Sequence, residues 1–299
     1  MAEQNRTFRS KASIESFLRD GGVQFGQDLQ TRHSTFVLRR LLDRIFQGEA
    51  MGLQLKGGMA LRMRTPEARY TTDLDLTSEE LALLEMRDLI ETQAKVDLYD
   101  SLSFEILRFE PLPMVDTQPS REGARISMGY SWGTTPSSTR VNIDLVHDKT
   151  PFGANLPSDG IMEPPADLPI SQIKLYALSH QIAQKVCACL EHYKEQPASR
   201  AKDLVDLAII ARSFTVERAE LVAALAFEFG HRNLAMPQFF APNANLLNGY
   251  AKEKKRVGQI SLPDTAQQAV ALVNDLLLLQ GSADFASRWD PAQGDWNQE

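Results

Sequence analysis

The sequence has few cysteines, no long apolar run and no excess of positive charge. Only two cysteines occur, Cys187 and Cys189, and their spacing in a predicted helix turns them to different faces. We therefore expect neither a disulfide framework nor a zinc motif. The longest apolar run, near Leu276 to Leu279, is far shorter than the roughly 20 residues that span a bilayer. We expect a cytoplasmic protein without a membrane segment.

The charge balance is acidic. The chain carries 32 Lys and Arg against 39 Asp and Glu, a formal net charge of −7. Proteins that coat nucleic acid usually carry an obvious excess of Lys and Arg, so the composition argues against that class but leaves room for a local basic groove. The 299 residues, 43% of them hydrophobic, are enough for one large core or two modest cores.

Hydrophobic patterning divides the chain into two halves. The first half is predicted to contain helices at residues 13–49, 59–64 and 77–95, the first of them broken at Gly21-Gly22. Its predicted strands are 52–56, 71–76, 103–109, 124–130 and 140–146. The second half is predicted to begin with a Pro- and Gly-rich connector at 151–169, followed by helices at 171–195, 200–213, 215–229 and 264–280 and a loose end at 289–299. We therefore predict an α+β fold in which an α/β domain with a mixed sheet, residues 1–160, precedes an α-helical domain, residues 161–299.

Two glycines, Gly57 and Gly58, stand between a predicted strand and a predicted helix. Glycine lets the backbone approach a ligand closely, and the first amides of a helix present free N–H groups to phosphate oxygens. A Gly-Gly pair at a strand end is, by itself, more often only a tight turn. The pair therefore becomes informative only together with the acidic residues of the next predicted strand.

Asp73 and Asp75 lie one residue apart on the next predicted strand, so their side chains share a face while Leu74 and Leu76 enter the core. Two close carboxylates repel each other unless a cation or a proton lies between them, and Mg²⁺ favours such oxygen ligands together with substrate phosphates. Paired acids on a solvent-facing strand edge are the alternative. Their position shortly after the glycine turn favours the metal site.

A third carboxylate, Asp144, interrupts the apolar strand Val141 to Val146. A charge in such a run is costly unless it is paired or metal-bound. With Asp73 and Asp75, Asp144 completes a trio that can hold two metal ions; alone, it could simply end an edge strand.

Five motifs in this order resemble the AbiEii nucleotidyltransferase toxins, including their MenT-like branch, over roughly residues 30 to 215. They are Leu55-Lys-Gly-Gly-Met-Ala-Leu61, Thr71-Thr-Asp-Leu-Asp-Leu76, Asn142-Ile-Asp-Leu-Val146, Gln181-Ile-Ala-Gln-Lys-Val-Cys-Ala188 and Ser199-Arg-Ala-Lys-Asp-Leu-Val-Asp-Leu207. The resemblance implies a polymerase-β-like nucleotidyltransferase core that uses Mg²⁺, or Mn²⁺, and a nucleoside triphosphate.

The resemblance also implies roles for individual residues. Asp73 and Asp75 match the metal-binding pair, whereas Asp144 matches a less uniform position. Lys185 matches the family lysine that contacts the nucleotide phosphates, and Asp203 matches an acid needed for activity. The expected nucleotide-binding residues are Lys56, Gly57, Gly58, Thr72 and Lys185.

Several of these residues have other interpretations. From patterning alone, Lys185 is more typical of a lysine that reaches back to water, and Asp203 and Asp206 are more typical of a surface network of ion pairs. Thr71 and Thr72 are either phosphate contacts, modification sites or residues that favour a strand. Many relatives read Ala-Glu-Lys-x-His-Ala where this chain has Ala183-Gln-Lys-Val-Cys-Ala188, so the lysine is retained while the local charge, and with it the nucleotide choice, can differ.

The expected function is that of a toxin in a toxin-antitoxin system, with an antitoxin that is commonly a DNA-binding regulator. The resemblance favours tRNA as the acceptor, and nucleotide addition at its 3′ end would block aminoacylation and translation. Transfer to a protein or a small molecule, and a non-catalytic module that binds nucleotide or antitoxin, are the alternatives. The basic residues expected to form an RNA track are Arg62, Arg64, Arg69, Arg200, Lys202 and Lys252 to Arg256.

Overall fold

The computed structural model describes residues 11–20, 28–48, 52–112, 122–148, 168–191, 200–258, 260–279 and 286–297. Within these residues the helices are α1 Lys11–Asp20, α2 Leu29–Ile45, α3 Gly57–Arg64, α4 Leu83–Ala94, α5 Leu178–Leu190, α6 Ala201–Ser213, α7 Arg218–His231, α8 Ala244–Lys254 and α9 Ala266–Leu277. The strands are β1 Gln54–Lys56, β2 Asp73–Ser78, β3 Leu102–Pro111, β4 Glu122–Trp132, β5 Thr135–Pro136, β6 Val141–His147, β7 Val216–Glu217, β8 Arg288–Asp290 and β9 Asp295–Asn297.

The main sheet is mixed, which confirms the predicted α+β class. Its strand order is β1-β2-β6-β4-β3, with β5 paired to β4. The β2 and β6 strands are parallel, and the other neighbours are antiparallel. This register places Asp75 directly beside Asp144 on one side and Lys56 on the other. Residues distant in sequence thereby meet on one face of the sheet.

The first hydrophobic core lies between this sheet and the helices α2 and α4. The apolar residues that alternate with the acids on β2 and β6 are fully buried, namely Leu74, Leu76, Ile143 and Leu145. Because side chains alternate across a strand, burying these residues directs Asp73, Asp75 and Asp144 to the opposite face. Packing of the core therefore determines where the carboxylates point.

A second core is formed by helices α5 to α9. Each core also contains residues from the other half of the chain. Leu61 and Ala68 pack in the second core, and Ile173 and Leu175 pack in the first core. Backbone hydrogen bonds join Leu55 of β1 to the segment after the connector. The Leu55 amide donates to the Lys174 carbonyl at 2.8 Å, and the Leu55 carbonyl accepts from the Tyr176 amide at 2.8 Å. The predicted domain boundary at residue 160 falls outside the described residues.

Several predicted element boundaries are wrong, three of them at helix starts. Thr77 and Ser78 belong to β2 rather than to a helix start, because the Ser78 hydroxyl accepts the amides of Glu80 and Leu81 in a turn and α4 begins only at Leu83. Residues 171–177 are extended, since they bridge to β1. Helix α7 starts at Arg218 after the short strand β7.

Residues 286–297 are ordered by pairing rather than loose, and α8 was not predicted. The strands β8 and β9 form a hairpin that pairs with β7. Trp289 of β8 is fully buried, and its indole N–H donates a hydrogen bond of 2.8 Å to the Ala211 carbonyl of α6. The predicted break at Gly21-Gly22 and residues 151–167 of the predicted connector lie outside the described residues.

Candidate active site

The turn between β1 and α3 brings the backbone close to Asp75. Gly57 has φ +69°, a left-handed conformation that favours glycine, and a Cβ atom there would overlap the Asp75 carboxylate. A Cβ atom at Gly58 would lie 3.0 Å from Nη2 of Arg69. The Gln181 amide nitrogen donates a 2.9 Å hydrogen bond to the Gly57 carbonyl, so α5 fixes the turn from the other side. Gly57 is thus required for this close approach.

Asp73 and Asp75 project from the first half of β2 on the same side. Asp73 is exposed and Asp75 is half-buried. Burial raises the pKa of Asp75, the nearby charge of Lys56 opposes this effect, and Asp144 adds to it. A desolvated carboxylate flanked by another acid is stabilised by a bound cation. Asp73 and Asp75 therefore fit a divalent cation that prefers oxygen ligands.

Asp144 has a different environment from the one that the sequence suggested. Both of its carboxylate oxygens accept hydrogen bonds from Arg125 of β4, at 2.6 and 2.7 Å. Accordingly, within the described ranges no group of three or more His, Cys, Asp or Glu side chains is arranged to hold a metal ion. The predicted trio of Asp73, Asp75 and Asp144 shares one face of the sheet, but the third carboxylate is engaged by a guanidinium.

Lys185 is buried in a network of ion pairs rather than reaching to water. Its ammonium lies 3.0 Å from Asp203 Oδ1 and 2.6 Å from Asp206 Oδ2. Burial alone would lower the pKa of Lys185, but the charges of Asp206 and Asp203 outweigh it and raise that pKa. Burial likewise opposes ionisation of Asp203, whereas Lys185 and Arg200 lower its pKa. Each of the two groups therefore favours the charged form of the other.

Asp206 is the residue of this network to which the sequence analysis gave no role. It is fully buried, and Arg69 donates two hydrogen bonds to its carboxylate, at 2.9 and 3.1 Å. Its position three residues after Asp203 put both acids on one helix face, and that spacing was the available signal. The identity of its partner Arg69, from another half of the chain, was not visible in the sequence.

A cavity of about 380 Å³ joins these groups. It brings together most of the predicted site residues, namely Lys56, Gly57, Gly58, Asp73, Asp75, Asp144, Lys185 and Asp203. Seven residues of its wall are Lys or Arg and four are Asp, although the whole chain is acidic. The additional cations are Arg69, Arg125, Arg200, Lys202 and Arg232. This excess of positive charge suits a polyanionic ligand.

Thr72 does not line this cavity. It faces a second, smaller cavity beside Tyr130 and Val141, while its neighbour Thr71 lines the large cavity. Because successive residues of an extended segment point to opposite sides, only one of the two threonines can face the glycine turn. Thr71, rather than the predicted Thr72, therefore faces the glycine turn, and its Cβ lies 3.4 Å from the position of a Cβ atom at Gly58.

The expected RNA track is also smaller than predicted. Arg62 is 1% exposed and belongs to the interior, and the half-buried Arg64 donates a hydrogen bond of 2.8 Å to the Tyr176 carbonyl. Arg69 is held by Asp206. Arg200 and Lys202 remain on the cavity wall. The segment Lys252 to Arg256 lies near the cavity wall. The Arg256 carbonyl accepts the amide of Tyr70 at 3.3 Å, and Arg69 and Thr71, on either side of Tyr70, line the cavity.

The fold is that of a nucleotidyltransferase. MenT4, a nucleotidyltransferase toxin from Mycobacterium tuberculosis H37Rv, superimposes with a TM-score of 0.57 at 13% identity, covering 89% of this chain and 88% of that one. JHP933 from Helicobacter pylori gives a TM-score of 0.45 at 14% identity, covering 84% of this chain and 95% of that one. Comparison with curated protein sequences finds no match.

The family model described as "Nucleotidyl transferase AbiEii toxin, Type IV TA system" matches residues 40–294. The chain therefore belongs to the AbiEii family of nucleotidyltransferase toxins, which confirms the resemblance drawn from its motifs. In the part of the chain that the structure describes, none of the helices has the length and hydropathy needed to cross a bilayer.

Proposed function

We propose that this protein binds a nucleoside triphosphate in the large cavity and transfers its nucleotidyl group to the 3′ end of tRNA. The observation that carries the proposal is the shared cavity, in which the glycine turn, the Asp73 and Asp75 pair and Lys185 meet. Its wall carries more Lys and Arg than Asp in a chain of net charge −7. That arrangement favours a triphosphate over a neutral ligand.

The glycine turn and Lys56 bind phosphate oxygens. The first amides of α3 start at Gly57 and have no partner in the preceding turn of a helix, so they suit an anion. Lys56 lies opposite Asp75 in the sheet, and its charge acts on both that carboxylate and a nearby phosphate. Gln181 holds the Gly57 carbonyl and thereby keeps the amides directed into the cavity.

Asp73 and Asp75 hold a divalent cation, Mg²⁺ or Mn²⁺. When bound, such an ion polarises the phosphoryl oxygens and stabilises the leaving pyrophosphate. Asp73 and Asp75 supply the oxygen ligands, and the half-buried position of Asp75 limits the access of competing water. The acceptor hydroxyl then attacks the α-phosphorus in a site that already carries fixed positive charge.

Lys185 stabilises the triphosphate, and Asp203 positions Lys185. The Lys185 ammonium faces the cavity while two carboxylates hold it, so a phosphate adds a third anionic partner without moving the side chain out of a buried helix face. Asp203 also accepts a hydrogen bond of 3.3 Å from Arg200, another residue of the cavity wall. Asp203 and Asp206 therefore preorganise Lys185 and Arg200 for the same triphosphate.

The tRNA acceptor is proposed from the family resemblance and from the basic residues that remain exposed. Lys202 is exposed on the cavity wall, and Lys252 and Lys255 are exposed on and just after α8, in the segment whose Arg256 carbonyl accepts the amide of Tyr70. Such cations contact phosphates without reading sequence. Membership of a toxin-antitoxin family implies an antitoxin partner as well.

The test is transfer of label from each of the four α-labelled ribonucleoside triphosphates to total tRNA, with Mg²⁺ and with Mn²⁺. We expect label at the tRNA 3′ end with wild type and its loss with Asp75→Asn. The matched control is Asp88→Asn, an exposed aspartate of α4 that is 61% accessible, which should retain transfer. Absence of labelled tRNA with every nucleotide and either metal would contradict the acceptor.

The labelling experiment and a growth assay with the same variant separate the alternatives. Label that appears in a protein or a small-molecule fraction and disappears with Asp75→Asn would assign another acceptor to the same site. Growth inhibition that persists with Asp75→Asn would instead favour a module that binds nucleotide or antitoxin without catalysis.

A further inference from the structure

Arg125 faces Asp144 directly across the β4 and β6 strands, as antiparallel neighbours. The guanidinium donates one hydrogen bond to each carboxylate oxygen, at 2.6 and 2.7 Å. Both side chains line the large cavity, Arg125 with 46% and Asp144 with 20% of the side chain exposed. This is a two-pronged ion pair in the wall of the proposed active site.

The guanidinium contacts Asp144 and feels the charges of the other two carboxylates on this face of the sheet. The hydrogen bond to Asp144 raises the pKa of Arg125, and the charges of Asp144, Asp73 and Asp75 reinforce that effect against partial burial. Arg125 thus supplies positive charge where a divalent cation would supply it. As long as both oxygens of Asp144 accept from Arg125, the charge of the guanidinium opposes a metal ion beside that carboxylate.

A purely structural role explains the pair poorly. Solvent-exposed ion pairs between neighbouring strands contribute little to stability. An arginine fork, in contrast, matches a phosphate as well as it matches a carboxylate. A triphosphate that enters this cavity would therefore compete with Asp144 for the same guanidinium.

We propose that Arg125 couples metal binding to nucleotide binding: it withholds Asp144 from the cation in the nucleotide-free protein, and it releases Asp144 when it pairs with the phosphates. This inference rests on the proposed function. Released Asp144, the parallel-strand neighbour of Asp75, then joins the Asp73 and Asp75 pair. Since coupling between two ligands is reciprocal, each ligand strengthens the binding of the other.

The first test measures Mn²⁺ binding to the nucleotide-free protein by electron paramagnetic resonance. We expect Arg125→Gln to tighten Mn²⁺ binding by about tenfold, within the usual range of such couplings. Asp144→Asn alone should change it little, and the double variant should return to the wild-type affinity. The matched control is Arg108→Gln on β3, whose side chain is 66% exposed and paired with Glu110.

Two results of this cycle would overturn the proposal. One is unchanged or weaker Mn²⁺ binding by Arg125→Gln in a protein whose unfolding curve matches that of wild type. The other is tighter binding that persists in the double variant, which would show that Asp144 does not contribute. Arg125→Lys, which keeps the charge but not the fork, provides a second folded variant, and we expect its affinity to lie between wild type and Arg125→Gln.

The second test measures binding of the four ribonucleoside α,β-methylene triphosphates in EDTA. We expect Arg125→Gln to bind the preferred analogue several-fold more weakly than wild type, while Arg108→Gln matches wild type. Equal affinity of wild type and Arg125→Gln would overturn the phosphate contact. If wild type binds none of the four analogues, the proposed function fails instead, and the Mn²⁺ cycle still decides whether Arg125 withholds Asp144.

Discussion

Lys185 and Asp206 form a 2.6 Å ion pair between α5 and α6, and Asp206 has no exposure to solvent. The same carboxylate accepts two hydrogen bonds from Arg69, which precedes β2. One buried acid therefore joins three segments that line the cavity. Two cations depend on it for charge compensation.

Replacing Asp206 with Asn should destabilise the protein and reduce transfer. Removing one partner of a buried ion pair leaves uncompensated charge, so we expect the free energy of unfolding to fall by about 3 kcal/mol. Denaturant unfolding measures this change. Asp264→Asn is the control, because Asp264 is 92% exposed and pairs with Lys254 at the surface, where such pairs contribute at most about 1 kcal/mol. Equal losses for the two variants would contradict the role of Asp206.

Gly57→Ala should abolish transfer, because a Cβ atom there would displace the Asp75 carboxylate. Gly133 provides a matched control: it also has positive φ, +61°, but a Cβ atom there meets nothing within 4 Å. Both substitutions carry backbone strain of about 1 to 2 kcal/mol in a left-handed conformation. We expect only Gly57→Ala to lose labelling of tRNA. Comparable activity of the two variants would show that strain alone matters.

The strands and acids of the site could be predicted from the sequence because they depend on local patterns. Alternation around Asp73, Asp75 and Asp144 indicates which face is buried, and the structure agrees that their neighbours Leu74, Ile143 and Leu145 form the core. The contacts that close the site depend on strand order and helix packing. The register of β4 against β6, which pairs Arg125 with Asp144, is set by tertiary structure alone.

The environment of Lys185 also depends on helix packing that local sequence patterns do not reveal. Its position on α5 was evident, but patterning did not distinguish a surface lysine from a buried one. Burial of Lys185 requires Asp203 and Asp206 on α6, which in turn requires the two helices to pack. The two threonines differ from the lysine, because alternation over the predicted strand 71–76 already puts Thr71, and not Thr72, on the face of Asp73 and Asp75.

Asp100 should make stability depend on acid pH. Burial alone would raise the pKa of Asp100, but hydrogen bonds and charges of Arg44 and Arg40 lower it below its usual 3.8. A lowered folded-state pKa contributes stability above the unfolded value, and this contribution is lost as pH falls through the folded value. We expect Asp100→Asn to be less stable than wild type at neutral pH and the difference to shrink below about pH 4.

Urea unfolding of both proteins between neutral pH and the acid range checks this prediction. Asp88→Asn serves as the control because Asp88 is 61% exposed. We expect its difference from wild type to stay small at every pH. A difference between Asp100→Asn and wild type that grows on acidification would have the wrong sign and would contradict the assigned pKa direction.

The terminal hairpin should stabilise α6, the helix that carries Asp203 and Asp206. Trp289 is fully buried and donates to the Ala211 carbonyl, so Trp289→Phe removes that donor and leaves a buried acceptor unpaired. We expect the free energy of unfolding to fall by about 1 to 3 kcal/mol. Trp296, its cross-strand partner, is more exposed and donates a hydrogen bond of 3.1 Å to the Asp275 carbonyl, so Trp296→Phe should lower the free energy of unfolding less.

Helix α6 carries Asp203 and Asp206, the partners of Lys185. Amide hydrogen exchange in α6 should therefore rise with Trp289→Phe and stay near the wild-type rate with Trp296→Phe. Unchanged hydrogen exchange in both variants would show that the hairpin does not stabilise α6.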